Sequence, residues 1–148
     1  MQILKVIGLL LEYPDEVCWE NRDELINLVE RDAPMLLPFV VKHLSVPLLD
    51  KQAEWCEFFE RGRATSLLLF EHVHAESRDR GQAMVDLMAQ YEKAGLQIDC
   101  RELPDYLPLY LEYLSILPPH DAQDGLQNVA PILALLGGRL KQREAPWY

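Results

Sequence analysis

Helical spacing interrupted by proline and glycine constrains this chain more than any other feature. Apolar residues recur three and four positions apart, and the alternation over four to eight positions that marks a half-buried strand is absent. The fold expected is all-α. A first helix over residues 2–12 stops at "YPD", because Pro14 disfavours helical geometry at Tyr13. Asp15 then caps a second helix that carries Leu25, Leu28 and Val29 on one face. Pro34 opens a third, "PMLLPFVVKHL", with Pro38 still in the first turn. A fourth, over residues 50–61, gathers Trp55, Phe58 and Phe59 and ends at Gly62. Met84, Leu87, Met88 and Tyr91 form a fifth stripe ended by Gly95, and Leu107, Tyr110, Leu111 and Leu114 a sixth. The last helix carries Leu126, Val129, Leu133, Leu136 and Leu140 at coiled-coil spacing. Pro131 and the Gly137–Gly138 pair in it predict a kink or a close backbone approach.

The 148 residues fit one domain, residues 1–148, long enough to bury about 70% of the surface of the unfolded chain. Cys18, Cys56 and Cys100 are odd in number and far apart, which argues against a disulfide framework and against a zinc site. The start of the chain has a lysine inside a short apolar run and meets acidic residues at once, so it reads as a helix and not a signal peptide. No run approaches the roughly 18 apolar residues of a membrane span. These features predict a cytoplasmic protein. Of the net charge of −10, residues 12–32 hold eight acidic groups against Arg22 and Arg31. No basic stripe is present to meet phosphates, so nucleic acid is not an expected partner, whereas a basic peptide would be steered favourably.

One stretch concentrates chemistry: "LLLFEHVHAESRDRGQAM", residues 67–84. His72 and Glu76, or Glu71 and His74, share a helical face, as metal ligands must. His72 and His74 stand two apart, about 200° around a helix, and no Cys cluster or H-E-x-x-H supplies further ligands. Glu71 and Glu76 could serve acid/base chemistry, but no nucleophile is marked beside them. Glu76 and Arg80 are i, i+4 partners, which suits a salt-bridged joint between helices or a surface that holds a ligand. No phosphate loop is present either.

Three blocks, "FERGRATSLLLFEHVHAESRDRGQAMVDLMAQYEKAGLQ", "RELPDYLPLYLEYLSILP" and "VAPILALLGGRLKQRE", resemble the nitrate reductase molybdenum cofactor assembly chaperones of the NarJ/NarW type, closest to the NarW branch, within the TorD-like group. The likeness covers nearly all of residues 59–148 and more loosely the amino-terminal third. It implies an all-helical bundle of the TorD-like type, without catalysis or a retained cofactor or metal. The implied partner is the apo catalytic subunit of a respiratory nitrate reductase, held by its amino-terminal peptide in the cytoplasm. The family is longer and carries an acidic tail that this chain lacks.

The group's Pro-Asp-His motif at a helix start corresponds to Pro104, Asp105 and Tyr106, with tyrosine where histidine is usual. An aromatic motif corresponds to Trp55, Phe58 and Phe59. The candidate client-binding residues are therefore Pro104, Asp105, Tyr106, Trp55, Phe59, Phe70, Glu71, His74 and Arg80. Asp105 is expected to face the client, the alternative being a cap on the helix that starts near Tyr106. The chaperone is expected to be a monomer or weak homodimer. A general helical adaptor, pairing with itself through the stripe from Leu126 to Leu140, and a metal-dependent enzyme using His72 are the two other classes the residues leave open.

Overall fold

In the computed structural model, which describes residues 1–73, 77–98 and 102–147, every regular element is helical and one isolated antiparallel bridge joins Leu68 to Tyr106. The helices are α1 (Gln2–Leu11), α2 (Glu16–Glu20), α3 (Arg22–Asp32), α4 (Leu37–Ser45), α5 (Leu48–Trp55), α6 (Ser77–Lys93), α7 (Leu107–Ser115) and α8 (Pro119–Gln142). Short turns of 3-10 helix at Pro34–Leu36 and Leu69–His72, and of π-helix at Cys56–Glu60, join or extend them.

The boundaries follow local chemistry. Asp15 caps α2 as expected, its Oδ1 accepting the Cys18 amide at 2.8 Å. The second helix breaks at Asn21, contrary to expectation. The Asn21 side-chain amide donates to the Val17 carbonyl at 2.9 Å, so this residue offers the backbone a local alternative to continuing the helix. Pro34 begins a 3-10 turn instead of α4, whose own first turn then contains Pro38. Gly62 and Gly95, at φ 101° and 84°, take the left-handed geometry that glycine accepts without a Cβ clash.

Two apolar clusters share α1. Leu4, Ile7 and Leu11 pack into one, with α7 and α8, while Ile3, Val6 and Leu10 pack into the other, with α3 and α4. Each set has i, i+3 or i+4 spacing, and the sets lie one residue apart, so a single helix is apolar on two adjoining faces. Gly8 lets α7 approach, since a Cβ there would lie 3.2 Å from the Pro108 carbonyl oxygen. In α8 the buried stripe is Ala122, Gly125, Val129, Ile132, Leu136 and Leu140. The expected stripe is thus largely turned inward, with Leu126 and Leu133 half-buried against the same cluster, and it is spent on the molecule's own core. The close approach lies at Gly125, beneath Leu114 and the Tyr110 hydroxyl, and not at Gly137–Gly138, around which no heavy atom stands within 4 Å of an added Cβ.

Opposite effects follow for two glycines of one helix. Gly138→Ala should stabilise by up to about 1 kcal/mol through helix propensity alone. Gly125→Ala should destabilise by roughly 1 kcal/mol or more, because overpacking against the fully buried Leu114 outweighs that gain. Urea unfolding of both variants decides it; a stabilised Gly125→Ala would mean that α7 and α8 are not in contact there.

Candidate functional site

Two extended segments meet beside the π-turn. The Leu69 amide donates to the Asp105 carbonyl at 2.9 Å, and the Leu107 amide to the Leu67 carbonyl at 2.8 Å. Asp105 adds a side-chain tie: its Oδ2 accepts the Phe70 amide at 2.9 Å. The residue is 1% exposed, and its Oδ1 has no hydrogen-bond partner. The expectation that Asp105 faces a client is therefore corrected: its carboxylate points into the protein. It does not cap α7 either, whose N-cap Tyr106 makes no side-chain capping bond. Its work is to fix the register of residues 67–70 against residues 104–107.

That register shapes a cleft of about 370 Å³, walled by Trp55 and Phe59 on one side, Leu67, Leu68 and Glu71 on another, and Glu102 and Tyr106 on the third. Four of the candidate residues, Trp55, Phe59, Glu71 and Tyr106, thus share one concavity although up to 51 positions separate them. Trp55 is held in place by its indole N–H, which donates to the Leu11 carbonyl at 2.8 Å, and its ring lies 5.8 Å from that of Phe59. Three glutamates, Glu60, Glu71 and Glu102, line the cleft against Arg63, so its field is negative. The same field reaches neighbours. Burial pushes the Tyr106 hydroxyl well above the usual tyrosine range, and the charges of Glu12 and Glu102 add to it. Burial likewise raises the Glu12 carboxyl, with Glu112, Glu102 and Asp15 adding to it.

The remaining candidates lie around this cleft or outside it. Pro104 offers its carbonyl to the Tyr91 hydroxyl at 2.7 Å, a structural bond, and Phe70 is half-buried against the core. Arg80, near the start of α6, is close enough to Asp105 for its charge to favour the carboxylate. His74 and Glu76 lie outside the described residues, and with them the expected Glu76–Arg80 pair and any ligand set using them. Cys100 lies outside them too. Both nitrogens of His72 are engaged: Arg139 Nη1 donates to Nδ1 at 2.9 Å, which leaves Nε2 to donate to the Ser66 carbonyl at 2.8 Å. An imidazole so committed is poorly placed to ligate a metal, and no group of three potential ligands occurs among the described residues. Sequence reasoning missed Glu60, Arg63 and Glu102; the only available signal was their position beside "FF" and "LPDY".

Asp105 generates a paired expectation. Asp105→Ala removes the acceptor for a buried amide and should cost about 1–3 kcal/mol. Asp105→Asn keeps an acceptor and removes the charge. Burial raises the Asp105 carboxyl above the ordinary aspartate value, with the Phe70 amide and Arg80 pulling the other way and Glu71 reinforcing it. A raised folded value means tighter proton binding when folded, so the contribution to stability is full below the ordinary value and is lost as pH rises through the raised one. Urea midpoints measured from about pH 4 upward should fall less steeply for Asp105→Asn than for the native chain. Identical slopes would place the carboxylate in water.

Comparison with known proteins identifies the family to which this sequence belongs. The family model described as nitrate reductase delta subunit matches residues 23–148. The probable nitrate reductase molybdenum cofactor assembly chaperone NarW of Escherichia coli K12 is 77% identical over 148 residues, all of this chain and 64% of that protein. NarJ of the same strain, a nitrate reductase molybdenum cofactor assembly chaperone, is 56% identical over 149 residues, covering 96% of this chain and 63% of NarJ. A probable NarJ of Bacillus subtilis is 24% identical over 155 residues, 94% of this chain and 78% of that protein. The chain thus spans less than two thirds of the length of the two Escherichia coli relatives. On the breadth of the family match and these identities, the chain belongs to the nitrate reductase delta subunit family.

Proposed function

We propose that this chain is an assembly chaperone that holds the apo catalytic subunit of a respiratory nitrate reductase, by its amino-terminal peptide, while the molybdenum cofactor is inserted. The reading rests on one observation above the others: Trp55, Phe59, Glu71 and Tyr106 line one acidic, aromatic cleft in a member of this family, whose relatives are named nitrate reductase molybdenum cofactor assembly chaperones. The chemistry suits a peptide that is apolar on one side and basic on the other. Aromatic walls take an aliphatic or aromatic side chain, and Glu71 and Glu102 take an ammonium or guanidinium at the rim. The eight carboxylates of residues 12–32 add long-range steering toward such a peptide. The cofactor is the client's cargo and needs no resident site here. No described helix is long and apolar enough to cross a membrane, and the work is proposed to take place in the cytoplasm.

Calorimetry with a synthetic peptide of the client's amino terminus tests this. Binding should carry a negative heat-capacity change, because apolar surface is buried. Tyr106→Ala should weaken it about tenfold with little change in heat capacity of unfolding, and the double change Glu71→Gln, Glu102→Gln should flatten its salt dependence. Absence of binding, or affinity indifferent to all three substitutions, would remove the cleft from the mechanism.

A further inference from the structure

A second cavity, of about 630 Å³, opens between α4, α5 and the segment that follows α8. It has the opposite electrical character. Three of the chain's five lysines line it: Lys42 and Lys141 exposed, and Lys51 2% exposed. Glu54 and Glu144 are the carboxylates on the wall, so the lining stays net positive in a chain of charge −10.

The buried cation is incompletely used by the protein. Lys51 Nζ donates to Glu54 Oε2 at 3.1 Å and stands 4.7 Å from the centroid of the Trp147 ring. An ammonium has three donors, so a carboxylate oxygen and a ring face leave capacity for one more acceptor. Beside it His43 is 3% exposed, enclosed by the rings of Trp19, Phe39 and Trp147 at 5.3–5.6 Å, and its Nδ1 has no hydrogen-bond partner. Burial, and then the charge of Lys51, hold this imidazole neutral, lowering it to about 4. A buried polar atom with no partner carries a cost that a bound ligand would remove. Phe39, Val46 and Pro146 supply apolar wall between these groups, and the volume lies within the range of small-molecule sites.

We propose that this cavity binds a small organic phosphate, its dianionic head between Lys42, Lys51 and Lys141 and its apolar body against Phe39. Lysines and not arginines converge here, and ammonium groups act as point charges that suit a compact, highly charged head more than a flat carboxylate needing a two-pronged partner. The site is separate from the acidic cleft and does not depend on the chaperone reading.

Phenyl phosphate is the probe, titrated into the full chain and followed by calorimetry and by NMR of the histidine rings. The expected result is one saturable site at which the His43 resonances move, with binding about tenfold weaker in each of Lys42→Gln and Lys141→Gln and unchanged in Lys93→Gln, outside the cavity. Both altered lysines are exposed, so folding is not at issue. Benzoate, a monoanion of similar body, should bind more weakly. No saturable binding, binding equal in the two lysine variants and the native chain, saturation without movement of His43, or benzoate binding as tightly as phenyl phosphate overturns the proposal.

Discussion

The last carbonyls of α1 accept hydrogen bonds from two indoles, and much of the molecule is referred to that point. A helix leaves its final carbonyls without main-chain donors. Here Trp147 Nε1 donates to the Leu10 carbonyl at 2.9 Å and Trp55 Nε1 to the Leu11 carbonyl at 2.8 Å. Gln52 Nε2 donates to the Pro14 carbonyl just beyond, at 2.9 Å. The helix itself is fixed by burial on two faces and by α7 seated on Gly8. Trp55 is a wall of the acidic cleft, and Trp147 carries the buried lysine of the basic cavity. The two concavities are therefore tied to one helix terminus, the cleft through its wall residue Trp55 and the basic cavity through the ring beside its buried lysine.

The irregular stretch from the π-turn through residue 72, tied on one side to residues 105–107, draws further hydrogen bonds from the end of α8 and its C-cap. Arg143 donates to the Glu57 and Phe58 carbonyls at 3.0 and 3.1 Å and to the Thr65 hydroxyl at 2.7 Å, its guanidinium lying 5.0 Å from the Phe58 ring centroid. Thr65 in turn donates to the Phe58 carbonyl. Arg139 reaches the Ala64 carbonyl and His72. The planar fork of arginine allows one side chain to satisfy several carbonyls that a π-turn leaves open. One wall of the cleft is thus carried by the most distant helix in the chain.

Charge is sorted as well as shape. Glu60, Glu71 and Glu102 give the cleft a negative field, and three lysines give the other cavity a positive one. Ligands of opposite sign would be drawn to different sites, which lets two binding events share one small fold without competition.

Much of this was written in one dimension. Prolines and glycines set the helix ends, apolar spacing set the buried faces of α6 and α7, and Asp15 announced its cap, because each depends on neighbours within a turn or two. The aromatic and acidic character of the cleft was legible in Trp55, Phe59, Glu71 and Tyr106. Spacing was less informative where a local competitor intervened, as at Asn21, or where two faces could be buried, as on α8. Only the tertiary structure decided that Asp105 points inward, that His72 is committed on both nitrogens, and that Lys42, Lys51 and Lys141 meet across 99 positions. The physical reason is that a helix terminus, an amide or a ring selects its partner by distance in space, and such pairings leave no periodicity behind in the order of the residues.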